Sequence, residues 1–475
     1  MCLETFYYQG GGVMSNISEQ ISALEKELSS CINGYISRKI INGKERFYLQ
    51  WVENSKIKSR YIKADELDEI RASVERRKQI HEKLKELKST PEGIENSNLK
   101  RKAVRNMQNI TGTLMSGDYT IATIKNGIIT EANEILLPLY LKRTKDVEGW
   151  LASRAIDSHR TNSRLLKKAL RLKRTDDVQT ALAVNAATVT DRYWFKPEGS
   201  TAVYEDIRFK ENYFDQLALR GDPDSFSRKP SRTPELTNRG SFEKCWKLID
   251  GKWWMYKSGN KEEFFSELFI CKLGEKLGLN MAHYEMDGEY IRSLDFTDSA
   301  KVNFEPMRSL MDDDEDYENC FNTIYDLSPE FAKQYLLLIW MDSICYNMDR
   351  HTENFGFLRD VNTGEIISLA PNYDNNIALI AKGYPTDKTR QNDGLIRFLR
   401  EFIQSCDTAH EMYREMDLPE ITEEIINECI DEIPVEVDRE FIIAFILNGQ
   451  NEIEEIINQS EDLSEGENFT MGFML

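Results

Sequence analysis

The ten residues from Asn347 to Gly356, Asn-Met-Asp-Arg-His-Thr-Glu-Asn-Phe-Gly, constrain this chain more than any other stretch, together with Ala370-Pro371-Asn372-Tyr373-Asp374 downstream. Between them, Phe355 to Leu358 and Ile366 to Leu369 read as short apolar strands, and the connection Arg359 to Gly364 ends in the turn residues Asn-Thr-Gly. An antiparallel hairpin brings the chain back to where it began. Asn354 before the first strand and Asp374 after the second are therefore expected to be neighbours, with Asp349 in the loop feeding the same end. The plainer alternative is a surface hairpin with scattered acids, of a kind that could bind calcium.

One carboxylate, a carboxamide five residues later and a second carboxylate beyond a hairpin form the minimum set for in-line phosphoryl transfer with magnesium. The first Asp accepts the proton of the attacking hydroxyl, the Asn holds a metal ion, and the later Asp holds magnesium against the nucleotide phosphates. Asp349, Asn354 and Asp374 have that order and spacing. Upstream, Ser328-Pro329-Glu330 reads as a helix start, with a capping hydroxyl, Pro at the first helical position and an acid in the first turn. The helix to about Tyr346 is apolar nearly all round and should be buried. Asp342 in its middle must then be paired, with backbone or with His351.

This block resembles the HipA-like serine/threonine kinases, whose catalytic loop reads like Asn347-Met348-Asp349-Arg350-His351 with Asn354 following, and whose metal-binding segment reads like Leu369 to Asp374. The likeness is close here, looser back to about Thr233 and thin before that. It implies an α+β, bilobal protein-kinase-like fold related to HipA and phosphoinositide kinases, and an ATP- and Mg2+-dependent protein kinase, self-phosphorylating in some members. It further implies a protein substrate and, in toxin or stress and defence systems, a DNA-binding antitoxin partner. Arg350 follows the catalytic Asp, as in the HipA-like order and unlike protein kinases. Asn375-Asn376 stand where protein kinases have Phe-Gly.

The nucleotide-binding part is expected over residues 231–298. Thr237-Asn238-Arg239-Gly240-Ser241-Phe242-Glu243-Lys244 leads into a strand, Cys245 to Ile249, then Asp250-Gly251 and a second strand, Lys252 to Lys257. A glycine at 240 lets backbone N–H groups approach phosphate oxygens that a β-carbon would obstruct. HipA-like kinases carry a related Gly-x-x-Glu-Lys loop and some phosphorylate a hydroxyl residue there, which makes Thr237 and Ser241 the candidates. Lys257 stands where a kinase places its phosphate-holding lysine. Glu263 to Leu277 reads as the following helix, with Glu267 as the partner of Lys257 and Glu263 as the fallback. Tyr284 to Met286 and Tyr290 to Leu294 form a hairpin about Asp287-Gly288. Backbone groups near Ser293, Leu294, Asp295 and Phe296 are expected to meet adenine.

At 475 residues the chain exceeds one ordinary core. Residues 1–13, ending Gly-Gly-Gly-Val, read as a non-native leader before Met14. Residues 14–98 read as an accessory module: a helix from Ile17 to Cys31, a hairpin of Tyr35 to Ile41 and Arg46 to Val52 around Asn42-Gly43, a strand at Lys58 to Ile62, and a charged helix from Ala64 to about Leu87. This module resembles a short domain of mobile-element-associated bacterial proteins. Residues 1–110 hold 20 Lys and Arg against 15 Asp and Glu, leaving −25 of the net −20 to the remainder. Nucleic-acid contact is one reading of the module and a docking or dimerising helix the other, since five net charges form no dense patch.

Residues 99–230 are expected to pack on the kinase part, with strands over Thr111 to Glu134 and a mostly helical Leu136 to Leu172. The basic run of His159-Arg160 through Arg174 reads as a solvated face or a phosphate or nucleic-acid contact. Residues 299–460 form the catalytic lobe, with a substrate-docking loop at Ala381 to Asp393, and 461–475 a tail. The eight cysteines show no paired spacing and the five histidines no metal-ligand spacing, and no apolar run reaches membrane-spanning length. A cytoplasmic protein without membrane contact is expected. A phosphoinositide-type or small-molecule kinase, or an inactive kinase-fold scaffold, are the alternatives.

Overall fold

The computed structural model describes residues 24, 26–28, 31–32, 34–41, 44–53, 56–63, 66–89, 110–172, 176–240, 242–381, 387–390 and 393–454. The leader, the linker after Ser89, Ser241, parts of the 381–393 loop and the tail lie outside them. Two compact units divide the chain, Met1–Gln108 and Asn109–Leu475.

In the first unit, β1 (Tyr35–Ile41), β2 (Lys44–Glu53) and β3 (Lys56–Ile62) form an antiparallel meander. Gly34 enters β1 at φ +129°, where a β-carbon would stand 2.2 Å from the Gln50 carbonyl oxygen, so only glycine fits. The helix Leu67–Ser89 buries Ile70 against Leu49 and Ile62 of the sheet, and further along Ile80, Leu84 and Leu87 pack with Leu24 and Leu28. This spacing of three, four and seven is that of one helical face.

The second unit is α+β, with its sheets built from antiparallel ladders. β4 (Gly112–Ser116), β5 (Tyr119–Lys125), β6 (Ile128–Ala132) and β7 (Tyr193–Pro197) order as β6-β5-β4-β7. β8 (Lys244–Ile249), β9 (Lys252–Lys257), β10 (Tyr284–Asp287) and β11 (Tyr290–Leu294) order as β10-β11-β9-β8. β12 (Val302–Pro306), β13 (Gly356–Asp360) and β14 (Ile366–Leu369) make a third sheet with β13 in the middle. The β13–β14 hairpin is the one the turn residues predicted, whereas β12 carried no comparable signal.

The region expected to be mostly helical breaks into Leu139–Thr144, Val147–Ser153 and Ser163–Ala169. Asp146 caps the second by accepting from the Gly149 N–H at 3.0 Å. Residues 154–162 between the later two are irregular, and Arg160 there is 1% exposed although His159 and Thr161 beside it are exposed, so Arg160 itself is no part of a solvated face.

The largest core surrounds the helix Pro329–Cys345, whose Leu336, Ile339, Met341 and Ile344 are fully buried. Ser328 Oγ accepts from the Glu330 N–H at 3.2 Å, as the capping sequence predicted. The N-terminal sheet is fastened to this core by buried polar bonds. Glu305 of β12 is ion-paired with Arg359 of β13, accepts from the Leu139 N–H at 2.5 Å and from Tyr193 Oη at 3.1 Å. Arg359 in turn donates to the Leu137 and Ile135 carbonyls, each at 3.0 Å.

Candidate active site

Lys257 ends β9, an inner strand flanked by β8 and β11, and is buried. Its Nζ lies 2.7 Å from Asp374 Oδ1 and 3.2 Å from Glu267 Oε2. Glu267 stands on the helix Lys261–Lys276, fixed at its start by a capping box in which Asn260 Oδ1 accepts from the Glu263 N–H and Glu263 Oε2 accepts from the Asn260 N–H. Glu263, the fallback partner for Lys257, is thus committed to the cap. The other Glu267 oxygen accepts from the Asn375 N–H at 2.7 Å.

One ammonium between a fully buried carboxylate, Glu267, and a partly exposed one, Asp374, is an unequal set. Burial works against the Lys257 charge, but Asp374 and Glu267 outweigh it and raise its pKa well above the ordinary value. Burial also pushes the Asp374 carboxyl up, yet Lys257, Lys244 and Arg350 together bring it down to about 2. For Glu267 burial dominates, against the pull of Lys257, and its pKa rises.

The loop after the central helix turns at Tyr346, which has left-handed φ +55°. Asn354 Nδ2 donates to the Asp349 carbonyl at 2.8 Å, closing the loop and turning its Oδ1 the other way. The binding hub here is Arg350, whose side chain is 3% exposed. It grips Asp342 through Nε at 2.8 Å and Nη2 at 2.9 Å, and donates to the carbonyls of Asn354 at 2.7 Å and Tyr373 at 2.8 Å. Asn372 Oδ1 at 2.8 Å and Asn375 Oδ1 at 2.7 Å complete its contacts. One side chain therefore ties the 349–354 loop to the 372–375 segment.

The expected partners of Asp342, backbone or His351, give way to Arg350 and Asn347 Nδ2 at 2.9 Å. A guanidinium one residue nearer presents a fork that fits a carboxylate, which an imidazole cannot match. His351 instead accepts from the Glu353 N–H through Nδ1 at 3.2 Å. Tyr373 Oη donates to the Glu353 carbonyl at 2.6 Å, a second tie between the same segments. Asp374 itself sits at φ +62°, and its N–H donates to Tyr284 Oη at 3.2 Å.

Asp349, Asn354, Asp374, Lys257 and Gly240 line one cavity of about 560 Å³. Thr237, His351, Leu294 and Asp295 line it too, as do residues 188–191 of the segment before β7. Glu267 and Asp342 stand behind it. Among the described residues no three His, Cys, Asp or Glu form a metal-holding group. The oxygens suited to a cation here are those of Asp374 and Asn354.

The glycine loop crosses this cavity. Arg239 Nη2 lies 2.7 Å from Glu353 Oε1 on the opposite loop. Gly240 has φ +100°, and a β-carbon on it would stand 2.4 Å from Lys244 Nζ. Lys244, which pairs with Lys257 across β8 and β9, has its pKa lowered by burial to about 7. Arg160 Nη2 donates to the Asn238 carbonyl at 2.7 Å and to that of Arg239 at 3.1 Å, Nε to that of Gly240 at 3.1 Å, and Nη1 to that of Lys244 at 3.4 Å. From sequence, Arg160 stands out only within a basic run and Lys244 only as the end of the Gly-x-x-Glu-Lys loop. Arg160 lies nearly eighty residues away, and its only signal was a basic run.

Two sets of expected contact groups already make bonds within the fold. Thr237 is 6% exposed, and its Oγ1 donates to the Ala187 carbonyl at 2.6 Å, so it is not presented for phosphorylation in this conformation. At the expected adenine contact, the Leu294 N–H is taken by the His283 carbonyl at 3.1 Å and the Asp295 N–H by that of Trp253 at 2.9 Å. The Asp295 carboxylate accepts from Thr297 N, Thr297 Oγ1 and Ser299 N, closing the turn after β11.

One protein-family model, described as Domain of unknown function (DUF6788), matches residues 14–72. The comparison with curated proteins returned no match. Among solved structures, the proinflammatory kinase CtkA of Helicobacter pylori is 17% identical with a TM-score of 0.36, over 46% of this chain and 95% of that one. HipA of a Shewanella oneidensis MR-1 toxin–antitoxin system, solved with HipB and operator DNA, is 12% identical with a TM-score of 0.45, over 73% of this chain and 99% of that one. At these scores neither likeness bears on activity. No helix among the described residues is long and apolar enough to cross a membrane.

Proposed function

We propose that this chain is an ATP- and Mg2+-dependent serine/threonine protein kinase of HipA type, with a bilobal kinase-like fold in residues 231–460. The observation that carries the reading is Lys257 Nζ held 3.2 Å from Glu267 and 2.7 Å from Asp374, on a cavity whose other wall holds Asp349 and Asn354. A buried lysine bridging a helix and a distant loop segment is costly unless the site needs a fixed cation. Triphosphate recognition needs one.

In this reading Lys257 holds the α- and β-phosphates, oriented by Glu267, and Asp349 orients the substrate hydroxyl and accepts its proton. The new bond forms between that oxygen and the γ-phosphorus, and the bond from the γ-phosphorus to the β,γ-bridging oxygen breaks, leaving ADP. The donor set of Asp374 and Asn354 fits magnesium, which takes one or two protein oxygens and fills the rest with phosphate and water. When bound, that ion would neutralise charge developing on the phosphates. Arg350 keeps both donors in register.

Purified protein incubated with labelled ATP and magnesium tests this. Label incorporated into a hydroxyl residue of this chain or of an added protein by wild type, and absent with Asp349→Asn, is expected. Nucleotide binding without label on any protein would overturn the protein-kinase reading in favour of a small-molecule kinase or an inactive scaffold. A DNA-binding antitoxin-type partner, such as HipB is for the Shewanella HipA, belongs to the same proposal.

A further inference from the structure

We infer that Arg160 is a positioning residue of the phosphate-binding loop: its guanidinium, reaching in from the segment between two short helices, turns the loop carbonyls away from the cavity and so presents the Arg239 and Gly240 N–H groups to phosphate. The inference rests on the kinase reading above, and concerns a residue that nothing in that chemistry names.

The argument is one of peptide geometry. In a trans peptide the carbonyl and the following N–H point in opposite directions, and among the described residues there is no cis peptide bond. The Asn238 and Arg239 carbonyls both accept from Arg160 Nη2. The N–H groups on the other side of those two planes belong to Arg239 and Gly240. Arg160 is buried behind the loop at 1% exposure, while Asn238, Arg239 and Gly240 line the cavity in front of it. The two N–H groups therefore face the cavity.

Successive N–H groups turned to one side make an anion-binding concavity. The Gly240 carbonyl accepts from Nε and that of Lys244 from Nη1, so the same side chain spans the loop from end to end. A cation at the carbonyl ends of these peptide dipoles also holds them in the orientation that an anion on the opposite side prefers.

Arginine is suited to this and lysine is not. The guanidinium is a planar fork with five N–H donors in fixed directions, whereas an ammonium is a point charge with three donors on a flexible stem. Arg160→Lys keeps charge and most of the volume but cannot serve four carbonyls at once. It should leave the cleft's base-binding end intact while loosening the loop.

The test is isothermal titration of the full chain with MgATP and, separately, with adenosine, for wild type, Arg160→Lys and Arg160→Met. Adenosine shares the base and ribose of ATP but has no phosphate for the loop to hold. Losing oriented N–H bonds to a charged phosphate is expected to raise the MgATP Kd about tenfold or more in both variants. The adenosine Kd should stay within about twofold of wild type, because tenfold corresponds to the loss of one charge-assisted bond and adenosine makes none to this loop. Equal loss of both ligands in Arg160→Lys, including loss through unfolding, would overturn the inference in favour of a purely structural role. Unchanged MgATP affinity in that variant would also overturn it while leaving the kinase reading standing. A wild-type chain that binds adenosine and MgATP equally, or neither, would instead remove the kinase reading, and the inference with it.

Discussion

Lys257 supplies one positive charge to two carboxylates beside it, Glu267 fully buried and Asp374 partly so, and that imbalance separates residues that hold the site together from those that act in it. Lys257→Met would leave Glu267 and Asp374 close together and uncompensated, which for a buried pair broken on one side costs about 3–5 kcal/mol. Chemical denaturation should show that loss, and Glu267→Gln added to the first change should restore part of it. Asp349 is only half-buried, and it lines the cavity. Asp349→Asn keeps the side chain's size and should leave the chain folded while lowering phosphoryl transfer about 10²- to 10⁴-fold. A variant that unfolds would show that Asp349 is structural.

Glu235 provides the pH signature at the same scale. It is fully buried under the glycine loop, accepting from the Trp246 N–H and Asn212 Nδ2, each at 2.7 Å, and from Asn238 Nδ2 at 3.0 Å. Burial nonetheless pushes its pKa from 4.5 to about 7. Its folded pKa lies above its unfolded one, so between those values the folded chain holds a proton that the unfolded chain has released. The contribution to stability is full below about pH 4.5 and is lost as pH rises through about 7, by up to about 3 kcal/mol. Glu235→Gln should flatten the stability profile over that window, and an unaltered profile would show that Glu235 is ionised throughout.

Among the elements, the glycine loop is the one most tightly specified by a single small residue. Gly240→Ala must place a β-carbon at φ +100° and 2.4 Å from Lys244 Nζ, and backbone strain of this kind costs about 1–3 kcal/mol. Since the obstructing atom ends a flexible side chain, Gly240→Ala with Lys244→Ala should recover the steric part and not the φ part, as read by thermal melting of the single and double variants. The strands and helices around this loop were legible in the sequence wherever a local rule fixes them. Asp250-Gly251 turned β8 into β9, Ser328-Pro329-Glu330 began the central helix, and Asn362-Thr363-Gly364 returned β13 to β14. What escaped were elements and contacts with no local rule. β12 joins its sheet only by lying beside β13, and Arg160 reaches the loop through the fold and not through the chain. The 136–172 region looked mostly helical without visible breaks because apolar residues at helical spacing do not record where an irregular turn intervenes. Arg350 stood in the central motif, yet its six hydrogen bonds go to five residues in three separate stretches of the chain, at 342, 354 and 372–375.

At the scale of the whole molecule, each residue lining the cavity falls between Pro138 and Asp374, inside the compact unit Asn109–Leu475. Within that unit the buried Glu305–Arg359 pair joins β12 and β13 to Tyr193 of β7 and to the Leu137 and Leu139 backbone. Residues 110–230 therefore share a core and a polar network with the remainder, and removing them would expose both. Within residues 1–108 the described packing consists of two small clusters, around Ile70 and around Ile80. A chain comprising residues 109–475 should bind MgATP with the Kd of the full chain to within about threefold, under one kcal/mol, and Glu305→Ala in it should lower its stability by about 3–5 kcal/mol by stranding Arg359. Titration calorimetry and denaturation of the shortened chain check both. A shortened chain that folds but binds MgATP weakly would place part of the nucleotide site in the first unit, against the lining of the cavity as the fold builds it.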